Sequence, residues 1–228
     1  MTSKPQAQHR ASHWDANVHY QDERVANRYD DARFSSLAGR VFNDREKRLV
    51  VRAFAELPRG ARVADIPCGT GRLAEPLLDA GFRVHGMDIS RQMLDVAHRR
   101  LARFGDAFTT AVVDAKRIDV PDEPFDGVLC ARVLMHFDLD EQIEFLRGVA
   151  KLTRGIVVIN HSLSSPYQRF RRKVKKALGH QAPARRPVTD AEIRRLLGES
   201  GLVETRRSRM NRAISEAVYV VARSVARG

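Results

Sequence analysis

The run Val63-Ala64-Asp65-Ile66-Pro67-Cys68-Gly69-Thr70-Gly71-Arg72-Leu73 decides the fold. Its apolar start predicts a buried strand that delivers the chain to a tight bend. Glycines at 69 and 71 remove the side chains that would keep a ligand away from the backbone. The helix that follows presents unpaired N–H groups to the same spot. Strand, bare bend and helix in this order form the ligand crevice at the carboxyl end of a doubly wound sheet. Pro67 fixes φ in the middle of the turn and removes one backbone donor.

Outward from this run, strands and helices alternate. A helix is expected over 36–57, where Leu37, Val41, Phe42, Leu49, Val50, Phe54 and Leu57 recur at three- and four-residue steps. Pro58-Arg59-Gly60 stops it. After the glycine bend come a helix to about Asp79, a strand over 82–87 and a helix over 90–104 with Ser90 as N-cap. Strands near 107–113, 125–130 and 155–160 follow, with a helix over 140–152. Thr189-Asp190 caps a short helix to Leu197. Runs at 203–208 and 213–222 read as an antiparallel hairpin. The pattern predicts an α/β fold: a Rossmann-like, doubly wound seven-stranded sheet, mostly parallel, with a C-terminal antiparallel hairpin and helices on both faces. Residues 1–44 are expected to form a cap, and 45–228 the main domain with a basic insert at about 162–188.

Three carboxylates close successive strands. Asp65 precedes the glycines. Asp88 ends the second strand, where it can accept from both hydroxyls of a ribose. Asp114 ends the third and is followed by Ala115, a small neighbour that leaves room for an adenine amino group. A nicotinamide-binding fingerprint is the rival, since Gly69, Gly71, Ala74 and Asp88 nearly satisfy it. In that fingerprint the first glycine follows the strand almost at once, whereas here Asp65 and three further residues intervene.

With these residues the chain resembles the class I S-adenosylmethionine-dependent methyltransferases, over about residues 45–160. The stretch Asp88-Ile89-Ser90 with Met93-Leu94 and Ala97, and Phe125-Asp126 with Val133-Leu134-Met135-His136, add to the likeness. The resemblance implies S-adenosylmethionine as cofactor. It gives the methionine end to Asp65, Cys68, Gly69 and Gly71, the ribose to Asp88, and the adenine to Asp114 and Ala115 with Ile89 and Met93 packed on it. Arg132 would lie beside the pocket. No His/Cys spacing suggests a metal.

Two histidines are candidate proton acceptors: His136 after the fourth strand and His161 after the fifth. Cys68 and Cys130, at the ends of neighbouring strands, read as small apolar fillers. Unpaired thiols and an N-terminus without the apolar core of a signal peptide point to the cytoplasm.

Charge speaks to the acceptor. The formal net charge is +12, and residues 145–189 hold eleven Lys/Arg and no Asp or Glu. Around 167–178, Phe170, Val174, Ala177 and Leu178 share one helical face and cations fill the rest. The resemblance implies that the connection after the fifth strand lines the acceptor pocket, so Tyr167, Arg171 and Lys173 are expected to meet the substrate, with Tyr29 closing the site from the cap and Arg33 meeting either an acidic substrate or the cofactor carboxylate. The expected partner is an anionic small-molecule, lipid or glycan acceptor, methylated on oxygen before nitrogen. The protein is expected as a monomer or homodimer with peripheral contact to the inner face of a membrane. RNA is the alternative acceptor, disfavoured by an aromatic content of 7% and by Cys130-Ala131-Arg132-Val133 where an Asn-Pro-Pro-Tyr-type motif would stand. A non-catalytic cofactor-binding regulator is the reading from a different class.

Overall fold

The computed structural model describes residues 36–115, 117–163, 174, 177, 187–210 and 217–225. Among them, seven strands form one sheet in the order β3-β2-β1-β4-β5-β7-β6. The strands are β1 (Arg62–Asp65), β2 (Arg83–Asp88), β3 (Phe108–Val112), β4 (Phe125–Cys130), β5 (Thr153–Ser162), β6 (Leu202–Arg209) and β7 (Ala217–Ser224). Pairs among the first five are parallel, and β7 runs antiparallel between β5 and β6. The expected fold is thus observed. Chain order reverses direction at β1 and β4, and that switch point opens a crevice at their carboxyl ends.

The helices are α1 (Leu37–Ala53), α2 (Ala74–Asp79), α3 (Arg91–Leu101), α4 (Leu139–Ala150) and α5 (Asp190–Glu199). Side-chain oxygens cap the starts of four of them, and on α1 Ser36 accepts from Gly39 N–H at 3.0 Å. Ser90 accepts from Met93 N–H at the start of α3. Asp138 with Glu141, and Thr189 with Glu192, form capping boxes on α4 and α5. At the other end of α1, Arg206 donates to the carbonyls of Arg52 and Ala53 at 2.9 and 2.8 Å. The expected helix to Leu57 ends early, because the chain turns at Phe54 before the proline is reached.

Both faces of the sheet are covered. Val50, Ala53, Leu77, Leu94 and Leu101 from α1, α2 and α3, with Phe54 just past α1, bury one face. Ile143, Leu146, Val149, Ile193 and Leu196 from α4 and α5 bury the other. The central strands are buried on both sides, so Val63, Ala64, Val128, Leu129, Val157 and Val158 are all closed to solvent. The expected boundary at 44/45 falls inside α1, which packs on the core through Glu46, Val50 and Ala53.

Candidate functional site

The loop after β1 carries the geometry expected of a ligand bend. Gly69 and Gly71 have φ of 56° and 73°, where a side chain is strained. The two glycines differ in what surrounds them. A Cβ on Gly69 would meet nothing within 4 Å, so that side of the loop is open. A Cβ on Gly71 would stand 2.7 Å from Leu101 Cδ1 and 3.2 Å from Ala97 Cβ. Gly71 therefore lets the loop close on α3, while Gly69 leaves room. Ile66–Pro67 is a cis peptide.

Asp88 builds the far wall. Its Oδ2 accepts from Gly69 N–H at 2.8 Å and its Oδ1 from Ser90 N–H at 2.9 Å. One carboxylate thus ties the bend of the first βα unit to the helix start of the second. Each oxygen retains a lone pair for a further donor. Burial raises its pKa above the usual carboxylate range, against those backbone bonds.

Asp65 is the unusual group. It is buried, and its Oδ2 has no hydrogen-bond partner among the described residues. Burial, then the nearby charge of Asp88, pushes its pKa up to about 8, while Arg72 and a bond with the Cys68 thiol pull the other way. A buried acceptor left bare costs about 1–3 kcal/mol, so this oxygen is suited to a donor brought by a ligand. Cys68 donates its N–H to Met87 O at 2.8 Å. Its Sγ occupies the space that a side chain on Gly86 would need. Burial pushes its thiol pKa well up, as it does for Cys130, so both behave as fillers.

Beside the loop lies a charged cluster that the sequence reading missed. Glu46 of α1 is fully buried. It takes Arg72 Nη2 at 2.8 Å, Arg132 Nη1 at 2.8 and 3.0 Å, and the Tyr219 hydroxyl at 2.7 Å. Arg72 also donates to Asn43 Oδ1 at 2.7 Å. Arg132 has φ 68°, an unusual value for a residue that is not glycine. The cluster joins α1, the glycine loop, the end of β4 and β7. Its one sequence signal was Glu46 on the apolar stripe of α1, four residues after Phe42 and four before Val50.

The remaining expected site residues divide. Asp114 and Ala115 lie just past the end of β3, half-buried, on the crevice side of the sheet. Ile89, just after β2, exposes an apolar side chain, whereas Met93 is buried in the first turn of α3. His136 closes a short 3-10 turn (Leu134–His136) after β4 and is exposed. His161 does not fit the role of a base. It lies inside β5, paired with Val218 of β7, and is closed to solvent. Its Nδ1 accepts from Ser162 N–H at 3.0 Å and its Nε2 faces Gln142 Oε1 at 2.9 Å. Gln142 in turn donates to Phe137 O at 3.0 Å. Burial lowers the pKa of this ring to about 4, so it is neutral with both nitrogens engaged. Tyr29, Arg33, Tyr167, Arg171 and Lys173 lie outside the described residues. Of the expected basic helix, Val174 and Ala177 are described, and both are helical and exposed.

Comparison with known proteins adds an independent line. Residues 63–155 match the family model described as a methyltransferase domain. The chain is 28% identical over 151 residues to magnesium-protoporphyrin O-methyltransferase of Synechocystis sp., covering 62% of this chain and 63% of that protein. It is 30% identical over 106 residues to phosphatidylethanolamine N-methyltransferase of Cereibacter sphaeroides, covering 45% of this chain and 52% of that one. The chain thus spans less than two thirds of the length of these curated relatives. The crystal structure of magnesium protoporphyrin IX methyltransferase from Synechocystis PCC 6803 with bound S-adenosylhomocysteine superposes with a TM-score of 0.69 at 20% identity, over 88% of this chain and 98% of that one. Over residues 63–155 the chain thus matches a methyltransferase domain, and its sheet order, glycine bend and strand-end carboxylates are those of the class I S-adenosylmethionine-dependent methyltransferase fold.

Proposed function

We propose that the chain transfers a methyl group from S-adenosylmethionine to an oxygen, or failing that a nitrogen, of an anionic or membrane-proximal small molecule, lipid or glycan. The observation that carries the cofactor half is the bare Oδ2 of Asp65 beside the open side of Gly69. That oxygen suits the ammonium of the methionine end. Gly69 and Gly71 let the tail approach the backbone, and Cys68 fills the floor behind it. Asp88 has acceptor capacity left for a ribose hydroxyl. Asp114 and Ala115 take the edge of the adenine, and Ile89 lies against its face with Met93 behind.

When bound, the cofactor supplies a methyl group already activated by its sulfonium. The chain must hold the acceptor in line and exclude water. A hydroxyl acceptor also needs somewhere for its proton to go. His136, exposed after β4, is the candidate, and His161 is set aside because neither of its nitrogens is available.

The acceptor half rests on surface character. On α1, Leu37, Val41, Arg45, Arg48 and Arg52 fall within an arc of roughly 80° at about 100° per residue. All five are exposed, with Leu37 and Val41 at 72% and 58%. Such a stripe suits an anionic bilayer, the arginines meeting phosphates and the apolar pair entering the head-group region. Two relatives are named for a porphyrin and a phospholipid acceptor. Tyr29, Arg33, Tyr167, Arg171 and Lys173 are assigned to the acceptor on this reading. No helix among the described residues is long and apolar enough to cross a membrane, so contact would be peripheral.

The test is transfer of a labelled methyl group to fractionated lipid, small-molecule and RNA pools. Label is expected in the lipid or small-molecule pool, and label confined to RNA would overturn the acceptor assignment. Flotation with phosphatidylglycerol vesicles is expected for the parent chain and lost on Arg45→Glu/Arg48→Glu/Arg52→Glu. Unchanged flotation would remove α1 as the contact.

A further inference from the structure

We infer that Glu46 is a positioning residue for the amino-acid end of the cofactor, acting through Arg132. The inference rests on the cofactor reading above and adds to it a residue from outside the glycine loop.

The unused donors of Arg132 make the case. Glu46 binds two guanidinium groups, Arg72 and Arg132. Arg132 is partly buried and keeps donors that no described residue takes. A partly buried cation with donors to spare suits an anion. The α-carboxylate of a methionine tail supplies one, and its ammonium answers the bare oxygen of Asp65.

Geometry selects Arg132 as the contact. Glu46 engages only Nη1 of Arg132, and no other part of that guanidinium has a partner among the described residues. Its side chain is 17% exposed, against 7% for Arg72. It stands two residues past β4, whose Leu129 lies opposite Asp65 in the sheet. A left-handed backbone at a non-glycine residue is strained and persists only where the surroundings hold it. Here the surroundings are Glu46, itself fixed by Arg72 and by Tyr219 from β7. Glu46 does not reach the cofactor. It sets the direction in which Arg132 presents its remaining donors.

Two nucleosides separate this role from a merely structural one. S-adenosylhomocysteine carries the amino-acid end, and 5′-methylthioadenosine lacks it. Binding of both is measured by calorimetry on the full chain and on Glu46→Gln, Arg132→Met and the double variant. Arg132→Met is expected to weaken S-adenosylhomocysteine at least tenfold and leave methylthioadenosine within twofold. Glu46→Gln is expected to show the same selectivity with a smaller loss. That loss should vanish in the Arg132→Met background, because a residue acting through another has no effect once the other is gone. Equal losses for both nucleosides, tighter binding of S-adenosylhomocysteine by Glu46→Gln, or additive losses in the double variant would each overturn the relay. Should Glu46→Gln not fold, Tyr219→Phe, which removes one of the bonds that hold Glu46, is expected to show the same selective weakening. Equal losses for that variant would count against the relay in the same way. A folded parent chain that takes up neither nucleoside would fail the cofactor reading itself, a result distinct from all of these.

Discussion

The rims of β1–β2 and of β4–β5 both stand at the carboxyl edge of one sheet, yet they leave their polar groups in opposite conditions. On the first rim Asp65 is buried with an oxygen that no described residue satisfies, and Gly69 faces open space. On the second, His161 is buried with both ring nitrogens engaged and its neighbour Gln142 bonded onward to Phe137. A polar group that lacks a partner in the folded chain marks where a ligand completes the structure. A polar group already satisfied marks where the fold completes itself. The difference separates the cofactor end from the scaffold more sharply than residue type does, since aspartate and histidine are both ordinary catalytic residues.

The largest expected effect is on Asp65. Its pKa in the folded chain is raised to about 8. The sign follows from linkage: the group's contribution to stability is fully present below the ordinary carboxylate pKa of about 4 and is lost as pH rises through 8. Asp65→Asn removes that loss. Relative to the parent, the variant should gain roughly 2–5 kcal/mol in stability between pH 5 and pH 8, at 1.36 kcal/mol per pH unit of difference between states. Thermal melts across that range check it. A parallel pH dependence for both chains would place Asp65 among the satisfied groups and erase the contrast.

The two glycines give the next effect. Gly71→Val should cost about 3 kcal/mol, from its strained φ and from the collision with Leu101 and Ala97. Gly69→Ala should cost only about 1 kcal/mol of stability, with its main effect on cofactor affinity. Denaturant melts paired with binding of S-adenosylhomocysteine check this, and equal stability losses would contradict the assignment of one glycine to packing and the other to the ligand.

The smallest effect tests the second rim. His161→Gln should cost about 1 kcal/mol of stability through its hydrogen bonds and change methyl transfer by no more than about threefold. Loss of a general base would lower the rate about 10²–10⁴-fold. A fall of that size, with the fold intact, would return His161 to the mechanism.

The sheet and the glycine bend were legible because their signals are local. Val63 to Leu73 states strand, bend and helix within eleven residues, and Asp88 follows at the end of the next strand. His161 was misplaced because β5 runs on to Ser162 through its antiparallel pairing with β7, a contact with residues more than fifty positions later. A histidine expected in a loop is therefore inside the sheet. Helix α1 ends earlier than its apolar spacing suggested because Arg206, on the distant β6, caps its last carbonyls. The Glu46 cluster was hidden for the same reason. Its members stand at positions 46, 72, 132 and 219, and no window along the chain contains them. Only the carboxylate on the apolar stripe of α1 hinted that something charged had to be waiting beneath it.

The most direct test is calorimetric titration of the parent chain and Asp65→Asn with S-adenosylhomocysteine at pH 7, in buffers of different ionisation enthalpy. The parent should bind with release of a proton as the ligand's ammonium draws Asp65 into its charged form. Asp65→Asn should bind about 10- to 100-fold more weakly, the worth of one charge-assisted hydrogen bond, and without that proton. A folded parent chain that takes up no S-adenosylhomocysteine, or binds it with the same affinity and proton balance as Asp65→Asn, would contradict the account.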